Sequence, residues 1–174
     1  MSEAPQTIVL TRHRDLAGRK HAVRVRRAVL VLLLAFPVLA LANVFGQRPS
    51  GSTAATPTAK LNVYAPQRLR GGLVYTARFR VDARRELKDA TLVLDSGWLE
   101  QMTVNEIEPS PINQGSENGR LSLSFGHVRA GQALVVWIAF SVNPTNVGHR
   151  SQDVELDDGT AKLLTVHRTI TVFP

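Results

Sequence analysis

The sequence predicts an all-β protein in which one antiparallel β-sandwich follows a single transmembrane helix. Residues 28–46 contain no charged side chain, which is typical of a membrane span. From Leu61 onward, apolar residues recur at every second position in short runs that turn-forming residues separate. No stretch after residue 60 keeps the 3.6-residue period of an amphipathic helix. The 174 residues therefore suit one β domain with an N-terminal appendage.

Positive charge is concentrated at the N-terminus. The formal net charge is +7, and seven of the 21 Lys and Arg residues but only two of the 14 acidic residues precede Ala28. Arg24, Arg26 and Arg27 border the apolar run on that side. The positive-inside rule then predicts that residues 1–27 form a basic cytoplasmic tail and that the C-terminal part is extracytoplasmic.

The apolar run at residues 28–46 predicts a transmembrane helix. Its nineteen residues, at about 1.5 Å each, span roughly 28 Å, close to the hydrocarbon core of a bilayer. We expect an uncleaved signal anchor, because the basic tail is long and the run continues through Phe45. Cleavage after Ala42 stays open, since Ala40 and Ala42 form a small-x-small site. The expected location is the cell membrane, crossed once, with membrane lipid as one partner.

Residues 47–60 are predicted to be a flexible linker. They are rich in Ser, Thr, Ala and Pro and hold no large apolar side chain, so they bury too little surface to offset the entropy of ordering. The β-sandwich is accordingly expected at residues 61–174, with seven or eight strands and a hairpin turn at Asp158 and Gly159. The predicted strands are residues 73–81, 90–94, 102–107, 121–125, 133–142, 154–156 and 163–173.

Residues 119–140 contain a strand that ends at Phe125 before a glycine, then an Ala-Gly turn at residues 130–131, then a long apolar strand. This arrangement resembles the paired strands of immunoglobulin-like modules on bacterial cell surfaces. The resemblance extends over residues 61–174 and implies an immunoglobulin-like β-sandwich. The whole chain is also similar to single-pass membrane proteins of high-GC bacteria. The immunoglobulin disulfide does not carry over, because the chain has no Cys.

Composition excludes several kinds of chemistry. A chain without Cys has no disulfide scaffold, thiolate zinc site or cysteine nucleophile. It also lacks the glycine motifs that bind dinucleotides or phosphates. The part after residue 27 is nearly neutral, which argues against a nucleic-acid partner. We therefore expect no cofactor, no catalytic residues and no enzymatic activity, and the sequence identifies no small-molecule ligand.

Four acidic residues form a weak candidate for a calcium site. Asp153, Glu155 and Asp157 alternate with apolar residues, and Asp158 follows directly. Calcium prefers clustered carboxylate oxygens, but the EF-hand pattern is not met. An acidic outer face on an edge strand, which discourages pairing between sheets, explains the same pattern and is favoured. We expect no metal site.

Two tryptophans are candidate binding residues. Trp137 lies on the second face of a strand that is apolar on both faces, so it either contacts a partner or sugar, or is covered by a loop. Trp98 follows a glycine in a loop-like stretch.

These observations together favour a membrane-anchored, extracytoplasmic binding or accessory module of a bacterial envelope, docking on an integral membrane protein. A module that binds cell-wall glycan or lipid is the alternative. An enzyme of unknown type is the third hypothesis.

Overall fold

The computed structural model describes residues 21–42 and 47–174. Most of the predicted cytoplasmic tail lies outside the described residues, as do residues 43–46 at the end of the predicted span. The chain divides into two units, one with the N-terminal helix and one with the strands.

The N-terminal helix, α1 (Ala22–Leu41), differs from the transmembrane helix predicted at residues 28–46. It begins earlier, so Arg24, Arg26 and Arg27 lie inside the helix rather than before it. Arginine has a high helix propensity, which allows the helix to extend through the basic segment. The transmembrane assignment is therefore corrected: among the described helices, none combines the length and the apolar character needed to cross a membrane. The predicted role of the three arginines in topology stays a prediction.

The described residues contain thirteen strands, more than the seven or eight predicted. Several of the added strands, such as β7 and β10, are short and polar and show no apolar alternation in sequence. The bounds are β1 (Pro49–Ala55), β2 (Ala59–Pro66), β3 (Arg68–Arg70), β4 (Val74–Ala83), β5 (Ala90–Leu94), β6 (Met102–Glu108), β7 (Asn113–Glu117), β8 (Arg120–Ser124), β9 (Ala133–Val142), β10 (Gly148–Ser151), β11 (Val154–Asp158), β12 (Ala161–Val166) and β13 (Thr169–Phe173).

The strands form three sheets. Sheet 1 has the order β1-β2-β4-β9-β6, sheet 2 has the order β12-β11-β5-β8-β7, and sheet 3 has the order β10-β13-β3. All strand pairs are antiparallel except β13 with β3. The inward faces of the sheets contribute to one hydrophobic core, so the architecture is a β-sandwich, as predicted.

Buried and exposed side chains alternate along β4 and β9, and the buried ones form the centre of this core. In β4, the side chains of Tyr75, Ala77, Phe79 and Val81 are buried between exposed or half-buried neighbours. The Tyr75 ring stacks on Phe140 of β9 at a centroid distance of 5.2 Å. Burial of each large apolar side chain contributes about 1.5–3 kcal/mol, so this period-two pattern defines which face of sheet 1 points inward. The opposite face remains open to solvent.

Strand β1 replaces most of the flexible linker predicted at residues 47–60. Every residue from Pro49 to Ala55 pairs with β2, from Pro49 opposite Pro66 to Ala55 opposite Lys60. A strand at the edge of a sheet is held by backbone hydrogen bonds, which small side chains make as well as large ones do. Low apolar content was therefore a poor criterion for a linker here, and the β-sandwich begins at residue 49 rather than 61.

The hairpin predicted at Asp158 and Gly159 is confirmed. Strands β11 and β12 pair across it, and Gly159 adopts a positive φ of 61°. The single strand predicted at residues 163–173 is instead two strands, β12 in sheet 2 and β13 in sheet 3. The chain changes sheet at Arg168, whose N–H donates to the Asp153 carboxylate and whose C=O accepts from the Gln152 N–H.

Candidate functional site

Two aromatic side chains and one arginine form a cross-strand row on the outer face of sheet 1. Tyr64 in β2 is paired with Arg78 in β4, and Arg78 is paired with Trp137 in β9. Directly paired residues of adjacent strands have neighbouring side chains on one face, so the register brings the three together. Tyr64 is 40% exposed and Trp137 is 45% exposed. We call this set the Tyr64–Arg78–Trp137 row.

The guanidinium of Arg78 lies against both aromatic rings. Its Cζ is 5.1 Å from the ring centroid of Tyr64 and 5.6 Å from that of Trp137. Each distance allows a cation–π attraction of about 0.5–1 kcal/mol at an exposed site. The Nε of Arg78 is buried and has no hydrogen-bond partner. The two rings therefore hold the guanidinium in place without satisfying its hydrogen-bonding capacity.

This arrangement suits contact with a protein better than stacking on a sugar. The guanidinium covers one face of each ring, and an open ring face is what a stacked ligand needs. Tyr, Trp and Arg are the residues that dominate binding energy at protein–protein interfaces, particularly near the centre of a contact. The Tyr64–Arg78–Trp137 row has this composition and lies on the inner strands of sheet 1.

Both charged and apolar side chains surround the row. Arg80, next along the same face of β4, is already paired with Asp82, with 2.8 Å between Nε and Oδ1. Val74 is exposed at the other end of β4. Glu108 of β6 is opposite Trp137 and is exposed. We call the outer face of sheet 1, with the row at its centre, the exposed face.

Trp98, the other tryptophan predicted to bind a partner, is a core residue. It is 0% exposed, and its ring packs against Phe79 and Phe140 at centroid distances of 5.3 Å each. The indole N–H donates to the Gln152 carbonyl at 3.0 Å. A single 3-10 turn at Ser96–Trp98 directs the side chain inward, which the sequence did not reveal. Trp98 is therefore withdrawn as a binding residue.

The structure gives the calcium hypothesis no support, because the four acidic residues do not form one cluster. Asp153 Oδ2 lies 2.6 Å from His167 Nδ1, and Asp158 accepts a hydrogen bond from the Asp89 N–H at 2.8 Å. Over residues 21–42 and 47–174, no group of three or more metal-ligating side chains could hold an ion. The favoured alternative also needs correction, since β11 is not an edge strand and lies between β12 and β5.

Glu155 and Asp157 lie on the outer face of sheet 2 with opposite pKa shifts. Glu155 Oε1 is 2.8 Å from Arg120 Nη2 and 2.8 Å from Lys162 Nζ. Burial tends to raise the pKa of Glu155, but these two cations outweigh it and hold the pKa below its ordinary value. Burial and the nearby charge of Glu155 raise the pKa of Asp157. The cluster is an internal ion-pair network rather than a ligand site.

His149, Ser151 and Asp153 are the residues nearest to a catalytic triad in sequence, and they do not form a relay. His149 Nδ1 lies 2.9 Å from Thr171 Oγ1, whereas Asp153 is hydrogen-bonded to His167 and to the side chain of Ser151. A relay needs a histidine placed between the carboxylate and the hydroxyl, and His149 is not in that position.

Arg168 is a buried cation that no sequence pattern indicated. It is 4% exposed, and its Nη2 donates to the carbonyls of Ala65 and Pro66 at 3.0 and 3.2 Å. Its Cζ lies 5.4 Å from the centroid of the Trp98 ring. Burial lowers the pKa of Arg168. These contacts connect β2 to the segment between β12 and β13, which indicates a structural role.

Sequence reasoning identified Trp137 but missed Tyr64 and Arg78. The apolar residues 73, 75, 77, 79 and 81 alternate with Arg78 and its neighbours, so the sequence does place Arg78 on the solvent face of its strand. The pairing of β2 with β4 and of β4 with β9, however, joins distant parts of the chain, and no local pattern encodes that register.

Comparison with known proteins shows similarity only at the level of solved structures. No family model and no curated protein matches the chain. CaCohA2 from Clostridium acetobutylicum is similar over 66% of this chain and 90% of its own, with 14% identity and a TM-score of 0.43. A non-cellulosomal cohesin from Archaeoglobus fulgidus is similar over 61% and 85%, with 12% identity and a TM-score of 0.38. A FixG-related protein from Vibrio parahaemolyticus is similar over 69% and 100%, with 12% identity and a TM-score of 0.39.

Proposed function

We propose that this protein is a non-enzymatic, immunoglobulin-like binding module that docks on another protein through the exposed face. The observation that carries the proposal is the Tyr64–Arg78–Trp137 row, in which two partly exposed aromatic rings flank an arginine that makes no ion pair with any described residue. Burying the two rings against a partner would gain apolar contact area, and the guanidinium would bind an acceptor of that partner.

Site-specific photo-crosslinking in the cells that produce the protein tests this. A photoreactive amino acid at Ala139 projects from the exposed face two residues from Trp137, whereas one at Ser122 lies on sheet 2 as the matched control. We expect a discrete protein adduct from position 139 and none from position 122.

A second variant tests whether the adduct depends on Trp137. Trp137→Ala should reduce the adduct from position 139 at least about tenfold, because truncating a central aromatic residue of an interface costs at least about 2 kcal/mol. An equal adduct with and without Trp137, or no adduct at all, would contradict docking by this face. Retention on cell-wall glycan or lipid vesicles with loss on Trp137→Ala would instead favour the module that binds those ligands. Identification of the partner from the peptides of the adduct also tests whether it is an integral membrane protein.

The proposed location is a cell membrane, with the β-sandwich outside the cytoplasm. Supporting membrane contact are the basic residues Arg24, Arg26 and Arg27, followed by large apolar side chains such as Leu32 and Leu33 that α1 leaves exposed. Protease added to intact spheroplasts should digest the β-sandwich of the full chain. Recovery of the intact chain from the soluble fraction would contradict this location.

A further inference from the structure

The charges on the exposed face are divided by an uncharged strand. Strand β9 has no charged residue from Ala133 to Val142. On its β4 side lies Arg78, and on its β6 side lie Glu106 and Glu108. Arg80 is compensated within its own strand by Asp82. Positive and negative charge are therefore left on opposite sides of β9.

Arg78 and Glu108 occupy equivalent positions on the two sides. Both are directly opposite Trp137, one on each neighbouring strand, so each lies about 4.8 Å from β9 in the plane of the sheet. In the part of the chain that the structure describes, neither side chain makes an ion pair. Each charge thus lacks a counterpart among the described residues of its own chain.

A two-fold axis along β9 would pair these charges. Rotation by 180° about an axis that runs along β9, just above Trp137, turns a second copy face to face with the first. It exchanges the β4 side with the β6 side, so Arg78 of each copy lies over Glu108 of the other. The two Trp137 side chains meet at the axis, between the two ion pairs. A contact of this kind is isologous, the commonest type in homodimers.

The strands that overlap in such a dimer are β4, β9 and β6, because β6 is the edge of sheet 1 and the axis runs along β9. They have ten, ten and seven residues, which cover roughly 430 Å² at about 4.8 Å between strands and 3.3 Å per residue. A standard stable interface buries about 800 Å² per partner, so this contact belongs to the smaller, weaker class of interfaces. A partner with only negative charge on its contact surface could pair with Arg78, but Glu106 and Glu108 would repel it.

We infer that the occupant of the exposed face is a second copy of this chain, held by reciprocal Arg78–Glu108 pairs around Trp137. This inference rests on the proposed function, since it names the protein that docks there.

Charge reversal and exchange in the full chain, purified in a mild detergent, test the inference. Arg78→Glu or Glu108→Arg alone brings like charges together twice in the dimer, and each should weaken dimerisation at least about tenfold. The double variant, R78E with E108R, restores both pairs and should return the dissociation constant to within about threefold of the unaltered protein. Arg80→Glu, on the same face of β4 and with the same change in net charge, is the control and should have less than a threefold effect.

Crosslinking locates the contact independently. The chain has no Cys, so Ala139→Cys introduces one thiol close to the axis and Ser122→Cys one on the outer face of sheet 2. A short bis-maleimide should join two copies at position 139 and not at position 122. Circular dichroism verifies that each variant is folded.

Three results would overturn the inference: a monomer at all concentrations, a dimer that the single reversals do not weaken, or failure of the double variant to recover. If any of these occurs while position 139 still forms a Trp137-dependent adduct with a different protein in cells, the proposed function stands without this occupant. If that adduct is also absent, both fail.

Discussion

Gly97 has less room for a side chain than any other glycine that the structure describes. A Cβ placed there would lie 1.7 Å from the carbonyl oxygen of Ser151, which is backbone and cannot rotate away. The glycine thus permits the close approach of the Ser96–Trp98 turn to β10, and with it the inward position of Trp98.

We expect Gly97→Ala to lower the free energy of unfolding by about 3 kcal/mol or more, because the backbone of β10 must shift to admit the methyl group. Urea denaturation measures the change. Gly51→Ala is the matched control, since the nearest atom to its Cβ would be the Asn62 side chain at an ordinary 3.7 Å. Similar losses for the two variants would contradict the close approach.

Asp153 should make stability depend on acid pH. Burial tends to raise its pKa, but hydrogen bonds from the Arg168 N–H and from His167 outweigh burial and lower the pKa below its ordinary value. The unfolded chain then binds a proton more readily than the folded one, so this contribution to stability is present above about pH 4 and is lost as pH falls through the lowered pKa. Asp153→Asn should lose less stability than the unaltered protein below pH 4 in urea titrations.

Asp157→Asn is a control that should change the pH dependence of stability in the opposite direction. The raised pKa of Asp157 means that its ionised form opposes folding, so its removal should increase stability at neutral pH and reduce the gain that protonation brings at lower pH. If both variants changed the pH profile in the same direction, the assignment of the two carboxylates would be wrong.

The two tryptophans show how far residue type predicts a site. Both are large aromatic residues in apolar or turn-like surroundings, yet Trp98 fills the core and Trp137 lies on the surface. Local sequence does not distinguish them, because the side that a neighbouring sheet covers depends on contacts made by distant strands.

Strand β1 is the element on which prediction and structure differ most clearly. It has no large apolar side chain, which in a sequence is typical of a linker, whereas in the structure all seven residues pair with β2. Backbone hydrogen bonding is independent of side-chain type, so such an edge strand has no hydrophobic signature.

Removal of β1 should therefore destabilise the β-sandwich. We expect a chain that begins at residue 57 to lose at least about 2 kcal/mol of unfolding free energy relative to one that begins at residue 47, since each backbone hydrogen bond contributes about 1 kcal/mol net. Urea denaturation measures this, and hydrogen exchange should show protected amides in Pro49–Ala55. Equal stability with rapid exchange in this segment would restore the linker interpretation.

At the scale of the whole molecule, the β-sandwich contains its entire described core. The buried apolar residues run from Ala59 to Val172, and α1 contributes none of them. Residues 47–174 should therefore fold without the N-terminal helix and unfold with a free energy within about 0.5 kcal/mol of that of the full chain in detergent. Loss of cooperative unfolding in the shortened chain would show that the helix is needed for folding.

The sequence by itself determined the properties that depend on neighbouring residues. The period of two after Leu61 indicated a β domain, Asp158 and Gly159 indicated a hairpin, and the missing Cys excluded thiol chemistry. Only the tertiary structure decided that β1 belongs to sheet 1, that Trp98 is buried, and that Tyr64, Arg78 and Trp137 form one row. These outcomes depend on strand order and register, which are set by the joint burial of side chains from distant segments rather than by any one segment.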